Sequence, residues 1–315
     1  MKLAFVFPGQ GSQSVGMMAP FATDAAVKET FDEASQALGQ DLWELVAAGP
    51  NEELARTVNT QPVMLTAGVA VYRAWIAAGG ALPAMLAGHS LGEYAALVAA
   101  GAIALADAVP LVRFRAQAMQ EAVPEGTGAM AAILGLADDH VRAACAEAAA
   151  ATAQVVEPVN FNAPNQVVIA GHKGAVEKAI ELCKARGAKR GLLLPVSAPF
   201  HSSLLKPAAE RLAERLQSVD IRVPSIPVVH NVDLSMSTTA TDVRSALARQ
   251  AASPVLWVNT VRTFAAHGVT HIAECGPGKV LAGLVKRTAP EIEALALTDP
   301  AALSSLLAQY TRMKG

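Results

Sequence analysis

Ala84-Met85-Leu86-Ala87-Gly88-His89-Ser90-Leu91-Gly92-Glu93-Tyr94 is the stretch on which the fold turns. The first four residues read as a short buried strand, and the segment from Glu93 to Ala100 reads as a helix. Between them, Gly88-His89-Ser90-Leu91-Gly92 matches G-x-S-x-G, a strand that bends sharply into a helix and presents a serine hydroxyl at the tip. Five residues alone are weak evidence in a chain rich in alanine and glycine. The strand before them and the helix after them are the context the motif requires, so Ser90 is the candidate nucleophile.

Working outward, Leu3-Ala4-Phe5-Val6-Phe7 reads as a first buried strand, followed by a loop from Pro8 to Gly16 rich in Gly, Ser and Gln. Val27, Phe31, Ala34 and Leu38 mark one helix face, closed by Gly39. Thr60 is expected to cap a second helix carrying Leu65, Val69, Tyr72 and Ile76, with Pro62 in its first turn. A longer helix with Arg113, Arg115 and Met119 runs to about Val123. Strands separated by helices predict a mostly parallel sheet. The rhythm changes at Pro124-Glu125-Gly126-Thr127-Gly128. From there the order is strand (129–134), helix (138–149), strand (155–160), strand (166–170), helix (175–186) and strand (192–196), the βαββαβ of a ferredoxin-like unit. The alternation of the first part then resumes, with a helix at 204–216, a strand at 227–231, a helix around 242–250, a strand at 271–274 and a final helix after Asp299-Pro300. The expected division is a large unit of residues 1–124 and 199–315 with an inserted small unit of residues 125–198.

Composition removes several function classes. With 52% hydrophobic and 17% charged residues among 315, the chain can bury a large core and is no disordered polymer. A net charge of −2 argues against a dedicated nucleic-acid binder, which needs a cationic surface. Cys145, Cys183 and Cys275 are odd in number and widely spaced, so neither a disulfide framework nor a zinc site is expected, and a reducing cytoplasm fits best. Five apolar residues before Pro8 fall short of a signal-peptide core of ~7–15. The uncharged run from Ala74 to Gly92 contains Gly79-Gly80, Pro83, His89 and Ser90, which excludes a membrane span.

A serine nucleophile needs a base, and seven histidines are available. His89 adjoins the nucleophile and is expected to point to another side of the elbow. His140 and His172 fall near element ends, His230 follows a strand, and His267 and His271 are separated by residues that break the helix needed to align them on a metal. His201 stands apart, in the loop Ser197-Ala198-Pro199-Phe200-His201-Ser202-Ser203, which leaves a strand and enters a helix. Catalytic groups collect at such strand ends on open α/β sheets. Pro8-Gly9-Gln10-Gly11-Ser12-Gln13 lacks the third glycine of G-x-G-x-x-G and the Gly-Lys-Ser/Thr of a P-loop. The loop offers instead a backbone N–H at Gln10 that could join that of Leu91 in facing an oxyanion.

Taken together, Phe5 to Gln13, Gly88 to Tyr94, Gln117-Ala118-Met119-Gln120, Asn160-Phe161-Asn162, Ala198 to Ser202 and Glu274-Cys275-Gly276-Pro277-Gly278 resemble the malonyl-CoA:acyl-carrier-protein transacylase family, in order and over nearly the whole chain. The resemblance implies an α/β fold with an α/β-hydrolase-like large subdomain and a ferredoxin-like small one, acting in fatty-acid synthesis. It implies Ser90 as nucleophile, His201 as base, Gln10 and Leu91 as the oxyanion hole, and Arg115 as the holder of the malonyl carboxylate. It also implies that the backbone carbonyl of Gln250 orients His201, so that the Gln250 side chain is expected to be dispensable. A coenzyme A thioester would be substrate, with no resident cofactor and no metal. An acyl carrier protein would be the partner, meeting clusters at Lys184, Lys189, Arg190, Lys286 and Arg287. The rivals are a serine hydrolase or thioesterase that gives the acyl group to water, and a carrier-protein docking module with a silent site.

Overall fold

The structure, a computed structural model, describes residues 1–196 and 198–312; Ser197, the first residue of the loop that carries His201, lies outside the described residues. In chain order the first part comprises β1 (Leu3–Phe7), α1 (Ala25–Leu38), α2 (Leu42–Ala48), α3 (Asn51–Ala55), α4 (Thr57–Ala77), β2 (Met85–Gly88), α5 (Gly92–Ala99) and α6 (Leu105–Glu121). Next come β3 (Gly128–Leu134), α7 (Asp138–Thr152), β4 (Val156–Ala163), β5 (Gln166–His172), α8 (Lys173–Ala185) and β6 (Arg190–Leu193). The chain then continues through α9 (Lys206–Leu216), β7 (Val228–Val229), α10 (Ala240–Gln250), α11 (Trp257–Ala266), β8 (His271–Cys275), α12 (Val280–Thr288), β9 (Glu293–Leu297) and α13 (Pro300–Arg312).

Two sheets organise these elements. β7-β2-β1-β8-β9 form a five-stranded sheet in which every pair is parallel, and β4-β5-β3-β6 form a four-stranded antiparallel sheet. β1 explains why the first is sandwiched between helices: Leu3, Phe5 and Phe7 enter one core cluster and Ala4 and Val6 the other. A strand buried on both faces reads as a continuous apolar run, which is what Leu3–Phe7 is. The small sheet also has two faces. One packs Ile133, Phe161, Val167 and Ile169 under α7 and α8, and the other turns Met130, Val159, Val168 and Ala170 toward Leu194, Val196 and Phe200.

Local differences from the sequence reading have local causes. α4 begins at Thr57 with Arg56 as N-cap, because the Thr60 hydroxyl donates to the carbonyls of Leu54 and Arg56 and does not accept from a helix N–H. Pro62 lies inside this helix, where its missing N–H leaves the Val58 carbonyl without the usual bond. β6 spans Arg190–Leu193 and not 192–196, since Pro195 has no N–H for the ladder and the chain leaves the sheet there. Among the described residues no helix is long and apolar enough to cross a membrane.

Gly283 sits in α12 with open space where a Cβ would stand. Gly283→Ala is expected to stabilise the protein by about 0.5–1 kcal/mol through lower entropy of the unfolded chain. Denaturant unfolding checks this, and a loss of stability contradicts it.

Candidate active site

β2 ends at Gly88 and α5 starts at Gly92, so the elbow has three residues in which to reverse direction. Side chains are excluded at both ends. A Cβ on Gly88 would lie 1.8 Å from the carbonyl carbon of Gly92, and one on Gly92 would lie 2.0 Å from the carbonyl oxygen of Phe7. Ser90, at the tip, is held at φ +52°, a conformation that non-glycine residues keep only when their surroundings enforce it. The enforcement is visible. The Ser90 N–H donates to Asn231 Oδ1 at 2.7 Å, Asn231 Nδ2 donates to the Gly88 carbonyl at 2.7 Å, and Gln250 Nε2 donates to the Ser90 carbonyl at 3.0 Å.

The side chain of Ser90 meets two partners. Its Oγ lies 2.7 Å from His201 Nε2 and accepts from Arg115 Nη2 at 3.0 Å. His201, only 4% exposed and itself at φ +65°, faces the main-chain carbonyl of Gln250 through Nδ1 at 2.9 Å. A carbonyl only accepts, so Nδ1 carries the proton and Nε2 presents its lone pair to the serine hydroxyl. Burial, reinforced by the nearby Arg115 charge, pushes the imidazole down to about 3, so it is neutral across the physiological range. Asp107, Asp138 and Asp139 lie in the first turns of α6 and α7.

Arg115 is 1% exposed, and burial lowers its basicity. Its hydrogen bonds run from Nη1 to Gln61 Oε1 at 2.9 Å and from Nη2 to Gln250 Oε1 at 2.9 Å and Ser90 Oγ. All three acceptors are neutral oxygens, so a buried guanidinium is presented beside the serine with no carboxylate hydrogen-bonded to it among the described residues. Such a cation favours an anionic group arriving with the substrate, and its forked donors match a carboxylate. Gln10, Leu91, Arg115, Ser90 and His201 line a single cavity of about 130 Å³, to which the small sheet contributes Met130 and Asn160, and the chain after β6 contributes Leu194 and Val196.

The structure thus brings together every residue that the sequence reading singled out at the centre, while Lys184, Lys189, Arg190, Lys286 and Arg287 are all exposed. His89 departs from expectation. It lines the cavity, and its Nε2 lies 2.8 Å from Asn162 Oδ1. The Gln250 side chain, expected to be dispensable, bonds Arg115, the Ser90 carbonyl and Glu93 Oε2. Gln61, Asn231 and Glu93 were not flagged as site residues. The available signal for Gln61 was a long polar side chain at the head of the mostly apolar run Pro62–Val71.

A serine between a neutral histidine and a buried arginine, at the tip of a sharp strand-to-helix elbow, is an arrangement for acyl transfer, and residues 4–311 match the acyl transferase domain family. The chain is 58% identical over 309 residues to the malonyl CoA-acyl carrier protein transacylase of Salmonella typhimurium, covering 98% of this chain and 99% of that one. It is 45% identical over 300 residues to the enzyme of the same name from Bacillus subtilis, covering 95% and 94%. The crystal structure of acyl-carrier-protein S-malonyltransferase from Burkholderia pseudomallei superposes with a TM-score of 0.96 at 63% identity, covering 98% of this chain and 100% of that one. A malonyl-transacylase solved in complex with a type II PKS acyl-carrier protein superposes equally well, with a TM-score of 0.96 at 51% identity and coverage of 98% and 100%. The chain belongs to the malonyl CoA-acyl carrier protein transacylase family.

Two outcomes are expected. His201 has a folded pKa near 3 against an ordinary 6.5, so above pH 6.5 it contributes nothing to the pH dependence of stability. As pH falls below 6.5 the unfolded chain takes the proton first and stability is lost. His201→Gln should therefore lose about 2 kcal/mol less stability than the parent between pH 7.5 and pH 5, and parallel curves contradict this. Gln250→Ala, which keeps the main-chain carbonyl but strands three polar partners, should lower steady-state transfer by about a hundredfold. Activity within threefold of the parent contradicts it.

Proposed function

We propose that the protein transfers the malonyl group from malonyl-CoA to the phosphopantetheine thiol of acyl carrier protein, supplying fatty-acid synthesis, by a ping-pong serine mechanism. The observation that carries this reading is the shared position of Ser90 Oγ, 2.7 Å from His201 Nε2 and 3.0 Å from Arg115 Nη2. Ser90 Oγ attacks the thioester carbonyl while His201 Nε2 takes its proton. The oxyanion is met by the N–H groups of Leu91 and Gln10, in front of α5. The C–S bond then breaks and His201 returns the proton to the departing coenzyme A sulfur. In the second half the carrier thiol gives its proton to His201 and attacks the acyl-serine ester, and Ser90 leaves with that proton.

A thioester suits a base oriented by a carbonyl. The leaving thiol, with a pKa near ~8.5 if it behaves like a cysteine, departs more easily than an amine and needs less proton donation. Coenzyme A enters as a substrate thioester, and the mechanism calls on no resident cofactor or metal. Residues 1–124 and 199–315 act as the catalytic unit and residues 125–198 as a small unit closing one wall of the cleft. The setting is cytoplasmic, away from membrane and nucleic acid, and Lys184, Lys189, Arg190, Lys286 and Arg287 form the surface for the carrier protein.

Intact-mass measurement after mixing with malonyl-CoA tests the reading. One malonyl group should appear on Ser90 and none on Ser90→Ala; persistent labelling of the variant defeats it. Arg115→Ala should lose malonyl loading while keeping acetyl loading from acetyl-CoA, and equal loss of both would assign Arg115 a purely structural role. With holo carrier protein added, charge reversal at Lys189 and Arg190 should slow discharge of the acyl-serine without slowing loading. Unchanged discharge removes those two residues from the docking surface.

A further inference from the structure

Glu93 follows the elbow by one residue and is fully buried on α5, without itself lining the cavity, yet no step above uses it. Its carboxylate makes three contacts. Oε2 accepts from the main-chain N–H of Asn231 at 2.9 Å and from Gln250 Nε2 at 2.8 Å, and Oε1 lies 2.7 Å from Nδ1 of His230. On its other side the His230 ring places Nε2 2.7 Å from Ser237 Oγ. Burial disfavours protonation of His230, but the hydrogen bond and charge of Glu93 outweigh it and raise the imidazole above its ordinary value.

The two residues that Oε2 holds are the supports of the two reacting residues. Asn231 takes the N–H of Ser90, and Gln250 takes the Ser90 carbonyl with its side chain and His201 Nδ1 with its main chain. One oxygen therefore lies at the junction of the elbow, which comes from β2 and α5, the end of β7 and the end of α10. Both Ser90 and His201 stand at positive φ, so each would relax away from the other if its support shifted. A neutral pair of side chains could fill the same volume, whereas a buried carboxylate with an ionic partner is costly unless its geometry is used.

We propose that Glu93 is a positioning residue, and that its carboxylate, anchored on His230, holds Asn231 and Gln250 so that Ser90 Oγ and His201 Nε2 remain in register for proton transfer. This rests on the reading of Ser90 as nucleophile and His201 as base. The test is therefore the rate at which a fluorophosphonate, which needs the serine and its base but neither coenzyme A nor carrier protein, labels Ser90. The first control is mass mapping of the parent protein: label on a residue other than Ser90 would defeat the functional reading and not this inference alone.

Glu93→Ala, verified as folded by circular dichroism and thermal unfolding, should be labelled about a hundredfold more slowly than the parent. Its kcat should fall in parallel, with KM for malonyl-CoA within about threefold, because the loss is in register and not in binding. Glu93→Gln keeps one carbonyl oxygen for Asn231 and Gln250 and should restore labelling to within about tenfold of the parent. Should Glu93→Ala fail to fold, Glu93→Asp takes its place: the charge is kept, the reach is one methylene shorter, and labelling should slow about tenfold or more. The inference is overturned if folded Glu93→Ala, or Glu93→Asp in its place, is labelled within twofold of the parent, or if folded Glu93→Gln is as slow as Glu93→Ala.

Discussion

The line from Ser90 Oγ through the His201 ring to the main-chain carbonyl of Gln250 is the interaction on which the remainder of the molecule depends. A histidine in water exchanges its proton between two nitrogens and titrates near neutrality. Here 2.7 Å on one side and 2.9 Å on the other fix the tautomer, and burial removes the charged form. A main-chain acceptor cannot titrate or change rotamer, so this orientation is as stable as the end of α10. The parallel sheet brings β1, β2 and β7 side by side, and their carboxyl ends deliver the Gln10 loop, the elbow and Asn231 to one place.

Charge is arranged with equal economy. Arg115 is held in the interior by three neutral oxygens, so the cost of burying a guanidinium falls on the folded protein. Because one of those oxygens belongs to Ser90 and another to Gln250, the cation is tied to the nucleophile and to the support of the base. On the proposed reading, an arriving carboxylate meets a cation in contact with the Ser90 hydroxyl. Met130 of the small sheet, with Leu194 and Val196 of the chain after β6, adds apolar walls that limit water in the cavity.

What could be read from sequence follows the range of the constraint. The elbow was legible because its demands are local: two glycines that admit no Cβ, an apolar strand before and a helix after. The inserted unit was legible because β3 to β6 keep the order of a split βαβ, and their spatial order β4-β5-β3-β6 follows from it. The start of α4 was not, since Thr60 turned its hydroxyl toward carbonyls of the preceding turn. The second layer of the site was invisible for a different reason. Asn231 and Gln250 reach the elbow across well over a hundred residues, and an asparagine or glutamine in a single sequence carries no mark of the partner it will find. Family resemblance pointed to the main chain of Gln250, while the three bonds of its side chain emerged only in three dimensions.

Nitrogen NMR of the His201 side chain tests the central claim most directly, because it reads protonation at each ring atom of the free protein. A neutral ring with the proton on Nδ1 and a bare Nε2, unchanged from pH 8 to pH 5, is the predicted result. An imidazolium at pH 6, or a neutral ring protonated on Nε2, would contradict the account.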